Sequence, residues 1–276
     1  MQDKEELILI DADSIYFKAA CKTKLEKQIK KIIDSLMHDI QSQCMMGVMK
    51  VAVKGVGNFR KDIAKDYKGN RPNLDQDLKD ALNVGRHHMI KRWGAVAADG
   101  MEADDLVSIW AYEAREMELF YTVVGIDKDL LQIPGNHYNF NKRIHRIIDD
   151  DEGYKLLMLQ CLTGDRGDNI PGIRGIGPKK AEKILEGINT KDMWKQVQLT
   201  WQEHNAGTPD ISLRLLSMIK TWEEYESIKS SIQNETTECK QNTGSEGKEL
   251  LQEPSLCSVS ERDSRVTERS KVAFRG

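Results

Sequence analysis

The sequence has no uninterrupted apolar run near the ~18 residues that a membrane-spanning helix requires. Its opening MQDKEE leads straight into a short strand-like LILI instead of a signal-peptide core. Membrane insertion and secretion are therefore not expected. Paired cysteines are also missing: Cys21, Cys44, Cys161, Cys239 and Cys257 are odd in number and scattered, with no C-x-x-C pair and no His at zinc-finger spacing. This argues against a disulfide framework and a zinc site, and for a reduced, cytoplasmic compartment. A basic excess is absent too, since 41 Lys and Arg face 44 Asp and Glu for a net charge of −3, whereas polyanion binders usually carry a positive footprint. There is no internal repeat. What is present is 276 residues, 39% apolar and 31% charged, enough for one large domain or two modest ones with buried cores.

Over residues 1–150 short apolar runs alternate with longer helical patterns, the signature of β-α units feeding a parallel sheet. LILI (7–10), VMKVAV (48–53), AVAA (95–98) and TVVGI (122–126) are strand candidates, mostly continuous rather than alternating, as strands covered on both faces are. IHRIID (144–149) reads as a fifth, at an edge. Helices are expected over 22–46, over 75–93 and after EADD, where Leu106, Ile109, Trp110, Ala114 and Met117 recur at helical intervals. DDDEG (149–153) reads as a solvated turn. From 151 to about 230 helical segments joined by Gly-rich turns predict a second, smaller helical unit, with 192–229 helical. The stretch 231–276, rich in Ser, Thr and Glu with a single aromatic, reads as a disordered tail and a candidate site for a partner protein.

In an open parallel sheet, ligands bind beyond the carboxyl ends of the strands, and here those positions are acidic. Asp11 follows LILI with Asp13 two residues on; Glu102, Asp104 and Asp105 follow AVAADGM; Asp127 and Asp129 follow TVVGI; Asp165 and Asp168 extend the set. Carboxylates delivered to one rim from several strands repel one another unless a cation lies between them. Hard oxygen donors without a His or Cys cluster point to Mg²⁺, with Mn²⁺ as a substitute, and to two or more ions keeping part of their water. Of the 44 acidic residues, setting these eight aside (Asp13 not counted) leaves 36 against 41 Lys and Arg, so net acidity does not exclude a polyanionic substrate. Asp99 reads as a surface or capping residue, and His87 and His88 as ordinary helix residues.

In LTGDRGDNIPGIRGIGPKKAEKIL (162–185), Gly172, Gly175 and Gly177 make a tight turn, and Pro178 suits the first position of the next helix. Such a turn can hold phosphate on backbone N–H groups without reading sequence, with Lys179, Lys180 and Lys183 reinforcing it; a plain helix–helix turn is the alternative. NFRKDIAKDYKGNRPN (58–73) interleaves Arg60, Lys61, Lys65, Lys68 and Arg71 with Phe59 and Tyr67, which suits single-stranded nucleic acid or a solvated basic loop.

Taken in order, LIDADS (9–14), YKGNR (67–71), EADDL (102–106), DKDLLQ (127–132) and TGDRGDNIPGIRGIGPKKA (163–181) resemble the 5′-nuclease or flap-endonuclease family, over about residues 6–187. That family includes the 5′-nuclease domain of bacterial DNA polymerase I and free-standing bacteriophage enzymes, and the chain looks like the free-standing form. The resemblance implies an α/β fold: a PIN-like parallel-sheet nuclease core over 1–150, with a basic arch at about 58–90, and a C-terminal helical subdomain carrying a helix-hairpin-helix element over 163–187. It implies that Asp11, Glu102, Asp104, Asp105, Asp127, Asp129, Asp165 and Asp168 bind metal. Lys68 and Arg71 would act on the scissile phosphate, and Tyr67 would stack on a displaced base. Gly172, Gly175, Gly177, Lys179 and Lys180 would grip duplex backbone, with K⁺ at the hairpin. The partners implied are DNA with 5′ ends, flaps, nicks or RNA primers, and a replication protein at the tail; the expected state is a monomer, in a bacterial cytoplasm if phage-encoded. RNase H-like action on RNA–DNA hybrids is compatible. One departure stands out: where the family places an Asp at the end of the second strand, this sequence has Val53, Lys54 and Gly55, so either the metal set is one acid short or Asp62 or another acid substitutes. A catalytically silent DNA-binding relative and a PIN-like RNase are the rivals.

Overall fold

The computed structural model describes residues 6–45 and 47–245, with side chains through Asn234. Six strands form one sheet: β1 (Leu7–Asp11), β2 (Val48–Lys54), β3 (Val96–Ala98), β4 (Tyr121–Val124), β5 (Gly135–Asn139) and β6 (Ile144–Ile148). Their order is β3-β2-β1-β4-β5-β6. All neighbours are parallel except β6, which runs antiparallel to β5. The chain therefore builds outward from β1 in both directions, and the order reverses between β1 and β4. Such a switch point opens a crevice at the carboxyl ends of the strands, where Asp11 stands.

Both sheet faces are covered, which explains the apolar runs. Ile8 and Ile10 point into one core with α1 (Asp13–Lys22), α2 (Glu26–Gln43) and α4 (Gln76–Trp93), while Leu9 points into the other with α5 (Ala103–Glu116). On α2, Ile29, Ile33, Met37 and Ile40 recur every three or four residues and are fully buried; burying each contributes about 1.5–3 kcal/mol. The short α3 (Arg60–Ile63) lies in the basic segment. A third core gathers Met158, Leu162, Ile173, Ile176, Leu185, Val197 and Trp201. It is built by α6 (Asp150–Thr163), the small hairpin β7 (Gly164–Asp165) and β8 (Ile170–Pro171), α7 (Pro178–Leu185), α8 (Thr190–Glu203) and α9 (Asp210–Leu216). Tyr67 belongs to this core, and residues through Asn234 pack as one unit.

The structure departs from expectation in five places. The helix expected over 22–46 is α2, and ahead of it, beyond Thr23–Leu25, stands the unanticipated α1, which Asp13 starts directly after β1. DDDEG is not a turn: the Asp149 side chain accepts the Glu152 N–H (2.7 Å) and caps α6, whose first turn carries Asp150, Asp151 and Glu152 against the helix dipole. β5 was not anticipated; GNHYN carries only His137 and Tyr138 buried. The segment 192–229 divides into α8, α9 and α10 (Trp222–Ser245). Finally, α10 carries helix through 231–245, where a tail was expected; the rest of that stretch, where a partner site was expected, lies outside the described residues.

Candidate active site

Asp11 ends β1 and is buried; its Oδ1 accepts the Asp13 N–H (3.1 Å). Burial pushes its carboxyl up to about 8, and the negative charges of Asp13, Asp127 and Glu102 add to the push. Asp13, which opens α1, turns its Oδ1 to the Tyr16 hydroxyl (2.7 Å) and to the N–H of Lys54 (2.8 Å), the last residue of β2. An acid thus reaches the end of β2 although β2 supplies none. Asp62 is exposed on α3. Asp13 was in view in the sequence as a strand-end acid, but nothing in the pattern said it would fold back across to β2.

The second group comes from the start of α5. Glu102 caps that helix in a reciprocal box with Asp105, and its carboxylate accepts the Tyr67 hydroxyl (2.8 Å) and the Lys68 ammonium. Burial would raise its carboxyl; Lys68 and Arg60 outweigh that and hold it below the usual range. Asp104, by contrast, is pushed well above it by burial and by the charges of Asp105 and Glu102. Asp105 has a different position from a ligand's. It is fully buried, Arg60 grips both its oxygens (2.5 and 2.8 Å), and it also accepts the Glu102 N–H (3.1 Å) and the Ile219 N–H (3.2 Å). All its acceptor capacity is engaged within the protein, so it braces the site.

The third strand end carries Asp127, which is exposed and accepts the Asp129 N–H (3.0 Å). Asp129 is raised to about 6 by burial and by Asp127, and accepts the Gln160 amide (2.5 Å). From the helical part, Asp165 accepts the Lys128 ammonium (2.6 Å) and the Gly167 N–H (2.7 Å). Asp168 accepts Arg71 (2.5 Å) and the Tyr67 hydroxyl (3.2 Å) and lies 3.5 Å from the Lys68 ammonium. Lys68 has φ +57°, and its N–H donates to the Asp168 carbonyl (2.9 Å), so the basic segment is pinned to the acids by backbone as well as charge. Tyr67 is only 3% exposed, its ring in the third core and its hydroxyl on two acids; a stacking role on a displaced base is not available to a ring so enclosed.

Among the described residues no group of three or more His, Cys, Asp or Glu side chains is placed to hold one metal ion directly. The donor set nevertheless suits a hard divalent cation. Its members are oxygen donors, and a positive charge would offset both the burial and the crowding that lift Asp11 and Asp104. Mg²⁺ retains much of its water, so carboxylates on several sides of an open crevice can hold it through that shell.

Beside the acids stands the glycine turn. Gly172 is a packing residue: a Cβ there would lie 2.1 Å from the Thr163 carbonyl carbon and 2.3 Å from the Gly164 nitrogen. It lets β8 lie against the end of α6, which corrects its expected place in the phosphate grip. Gly175 (φ +83°) and Gly177, the residue preceding α7, face open space, anchored by buried Ile173 and Ile176. Pro178 starts α7, and Lys179 and Lys180 are exposed on its first turn.

Fold and rim together define a class: an α/β protein whose parallel sheet presents carboxylates at a switch point, flanked by a basic segment and a glycine-turn helical unit. The chain belongs to the family of the 5′-3′ exonuclease, N-terminal resolvase-like domain, whose model matches residues 6–155. It is 34% identical over 144 residues to DNA polymerase I of Rhizobium leguminosarum, covering 49% of this chain and 14% of the polymerase. It is 28% identical to a 5′-3′ exonuclease of Aquifex aeolicus over 72% of each. The chain thus spans well under two thirds of several curated relatives, 14%, 24% and 46% of three of them. In solved structures its fold is that of the T5 5′-exonuclease with bound divalent metal ions (zinc), at a TM-score of 0.66 and 18% identity, covering 83% of this chain and 98% of that one.

Proposed function

We propose that the protein is a divalent-metal-dependent, structure-specific 5′-3′ exonuclease and flap endonuclease, hydrolysing phosphodiester bonds of DNA near 5′ ends, flaps or nicks. The observation that carries this reading is that Glu102 and Asp127, from two other strand ends, lie near enough for their charges to act on Asp11, with Lys68 and Arg71 against Asp168, beside an exposed lysine pair at a helix start. Asp11, Glu102, Asp104, Asp127 and Asp129 would hold Mg²⁺ or Mn²⁺, with Asp13, Asp165 and Asp168 at the margin. When bound, the ions supply a nucleophilic hydroxide and stabilise the leaving oxygen. Lys68 and Arg71, each already positioned by a carboxylate, provide positive charge for the phosphoryl oxygens. Gly175, Gly177, Lys179 and Lys180 contact backbone phosphates, so selection is by nucleic-acid structure rather than base identity. The family relation and the DNA polymerase I relatives support a part in replication, primer removal or repair.

Cleavage of labelled 5′-flap, nicked and RNA–DNA hybrid duplexes with Mg²⁺, Mn²⁺ or EDTA tests the reading. Product with either metal and none with EDTA is expected, its length separating exonuclease from flap cutting. Tight duplex binding without product under either metal would instead support the silent relative, with the lack of an acid in β2 itself as the cause.

A further inference from the structure

The last turn of α9 and its connection to α10 are far along the chain from the rim acids on α5 and after β4, yet side chains that hold those acids are hydrogen-bonded to their backbone. Arg60, which grips Asp105, also donates to the carbonyls of Leu215 (2.8 Å) and Ser217 (2.8 Å). Asp105 in turn accepts the N–H groups of Ile219 (3.2 Å) and Glu102 (3.1 Å). On a second arm, Gln132 donates its Nε2 to the Leu216 carbonyl (3.0 Å) and to Gln160 Oε1 (2.9 Å), and Gln160 donates its own Nε2 to Asp129 (2.5 Å). Gln160 is 5% exposed.

The second arm has a fixed direction. A backbone carbonyl can only accept, so Gln132 must turn its NH₂ toward Leu216; the same NH₂ then requires the oxygen of Gln160, which leaves the Gln160 NH₂ for Asp129. Buried amides satisfied in one orientation only are costly to turn.

We infer that Leu215–Ile219 is a strap that positions Glu102 through Arg60 and Asp105, and Asp129 through Gln132 and Gln160, with Gln160 a positioning residue for metal binding at Asp129. The inference rests on the metal-dependent nuclease reading. Partners that orient metal ligands typically change metal affinity or activity by about 10- to 100-fold when lost.

The test uses the full chain with Gln160→Leu, Gln160→Asn and Gln132→Glu. Gln132→Glu never touches Asp129, but it replaces a donor by a carboxylate, so Gln160 must turn its oxygen toward Asp129. Mn²⁺ binding without DNA is read by electron paramagnetic resonance, kcat and KM on a 5′-flap duplex by single-substrate kinetics, and folding by thermal unfolding. The expected result is Mn²⁺ affinity about 10- to 100-fold weaker in each folded variant, kcat lowered with KM within about twofold, and no further loss when Gln132→Glu is added to Gln160→Leu. Folded variants with wild-type Mn²⁺ affinity, or losses that simply add, would overturn the strap while wild-type cleavage left the nuclease reading standing. A wild type that neither binds Mn²⁺ nor cuts would overturn that reading itself.

Discussion

At the scale of single residues the site is a contest between burial and charge. Glu102 and Asp104, two apart at the start of one helix, are driven in opposite directions, because Lys68 and Arg60 face the first while Asp105 and Glu102 crowd the second. Lys68→Ala should lower kcat on a flap substrate by about 10²–10³-fold, the usual cost of removing a positioned charge donor, with duplex affinity changed only a few-fold. Unaltered single-turnover rates would remove Lys68 from the chemistry. Asp105 belongs to stability instead. Asp105→Ala leaves the Arg60 guanidinium buried without its partner, and breaking such a pair costs about 3–5 kcal/mol, measured as a lower urea midpoint. Asp104→Asn, by contrast, should leave the urea midpoint near wild type while reducing Mn²⁺ binding. Both acids sit in one EADD motif; which of them meets a buried arginine is a matter of tertiary contact.

At the scale of elements, β5 couples stability to acidity. His137 is buried there and donates its Nε2–H to the Ile133 carbonyl (2.7 Å); burial holds its pKa below the ordinary value of 6.5. As pH falls below 6.5 the unfolded chain takes up this proton and the folded chain does not, so stability is full above that pH and declines beneath it. Melting temperatures at pH 7.5 and 5.5 check this: His137→Gln should lose less than the wild type across the interval, and an equal loss would assign the acid sensitivity elsewhere. The start of α7 carries a different prediction. Replacing Lys179 and Lys180 by Ala together should lessen the slope of log affinity against log salt by about two units, at about 0.9 per phosphate contact, without changing base preference. An altered sequence preference would contradict a phosphate-gripping role.

At the scale of the whole molecule, the helical unit and the sheet share one site. Asp165 and Asp168 lie just beyond α6, yet they pair with Lys128 from the β4 end and with Lys68 and Arg71 from the basic segment. Removing divalent metal with EDTA should abolish cleavage while leaving the duplex binding proposed for the lysines and the turn of α7. If EDTA abolished binding as well, the ions rather than these lysines would carry the grip.

The strand runs were legible in the sequence because a sheet covered on both faces demands continuous apolar residues, and strand-end acids were legible because a parallel sheet has one functional edge. Motif order along the chain was enough for the family. β5 escaped because GNHYN has no apolar run and is held by its pairing to β4 and β6. The start of α1 escaped because no gap separates it from β1. The engagement of Asp105 by Arg60, the reach of Asp13 to the end of β2, the enclosure of Tyr67, and the two glutamines behind Asp129 join residues distant in sequence or set by local folding. Periodicity and spacing report what one element does alone; which side chains meet across elements depends on how those elements pack, and that only the tertiary structure decides.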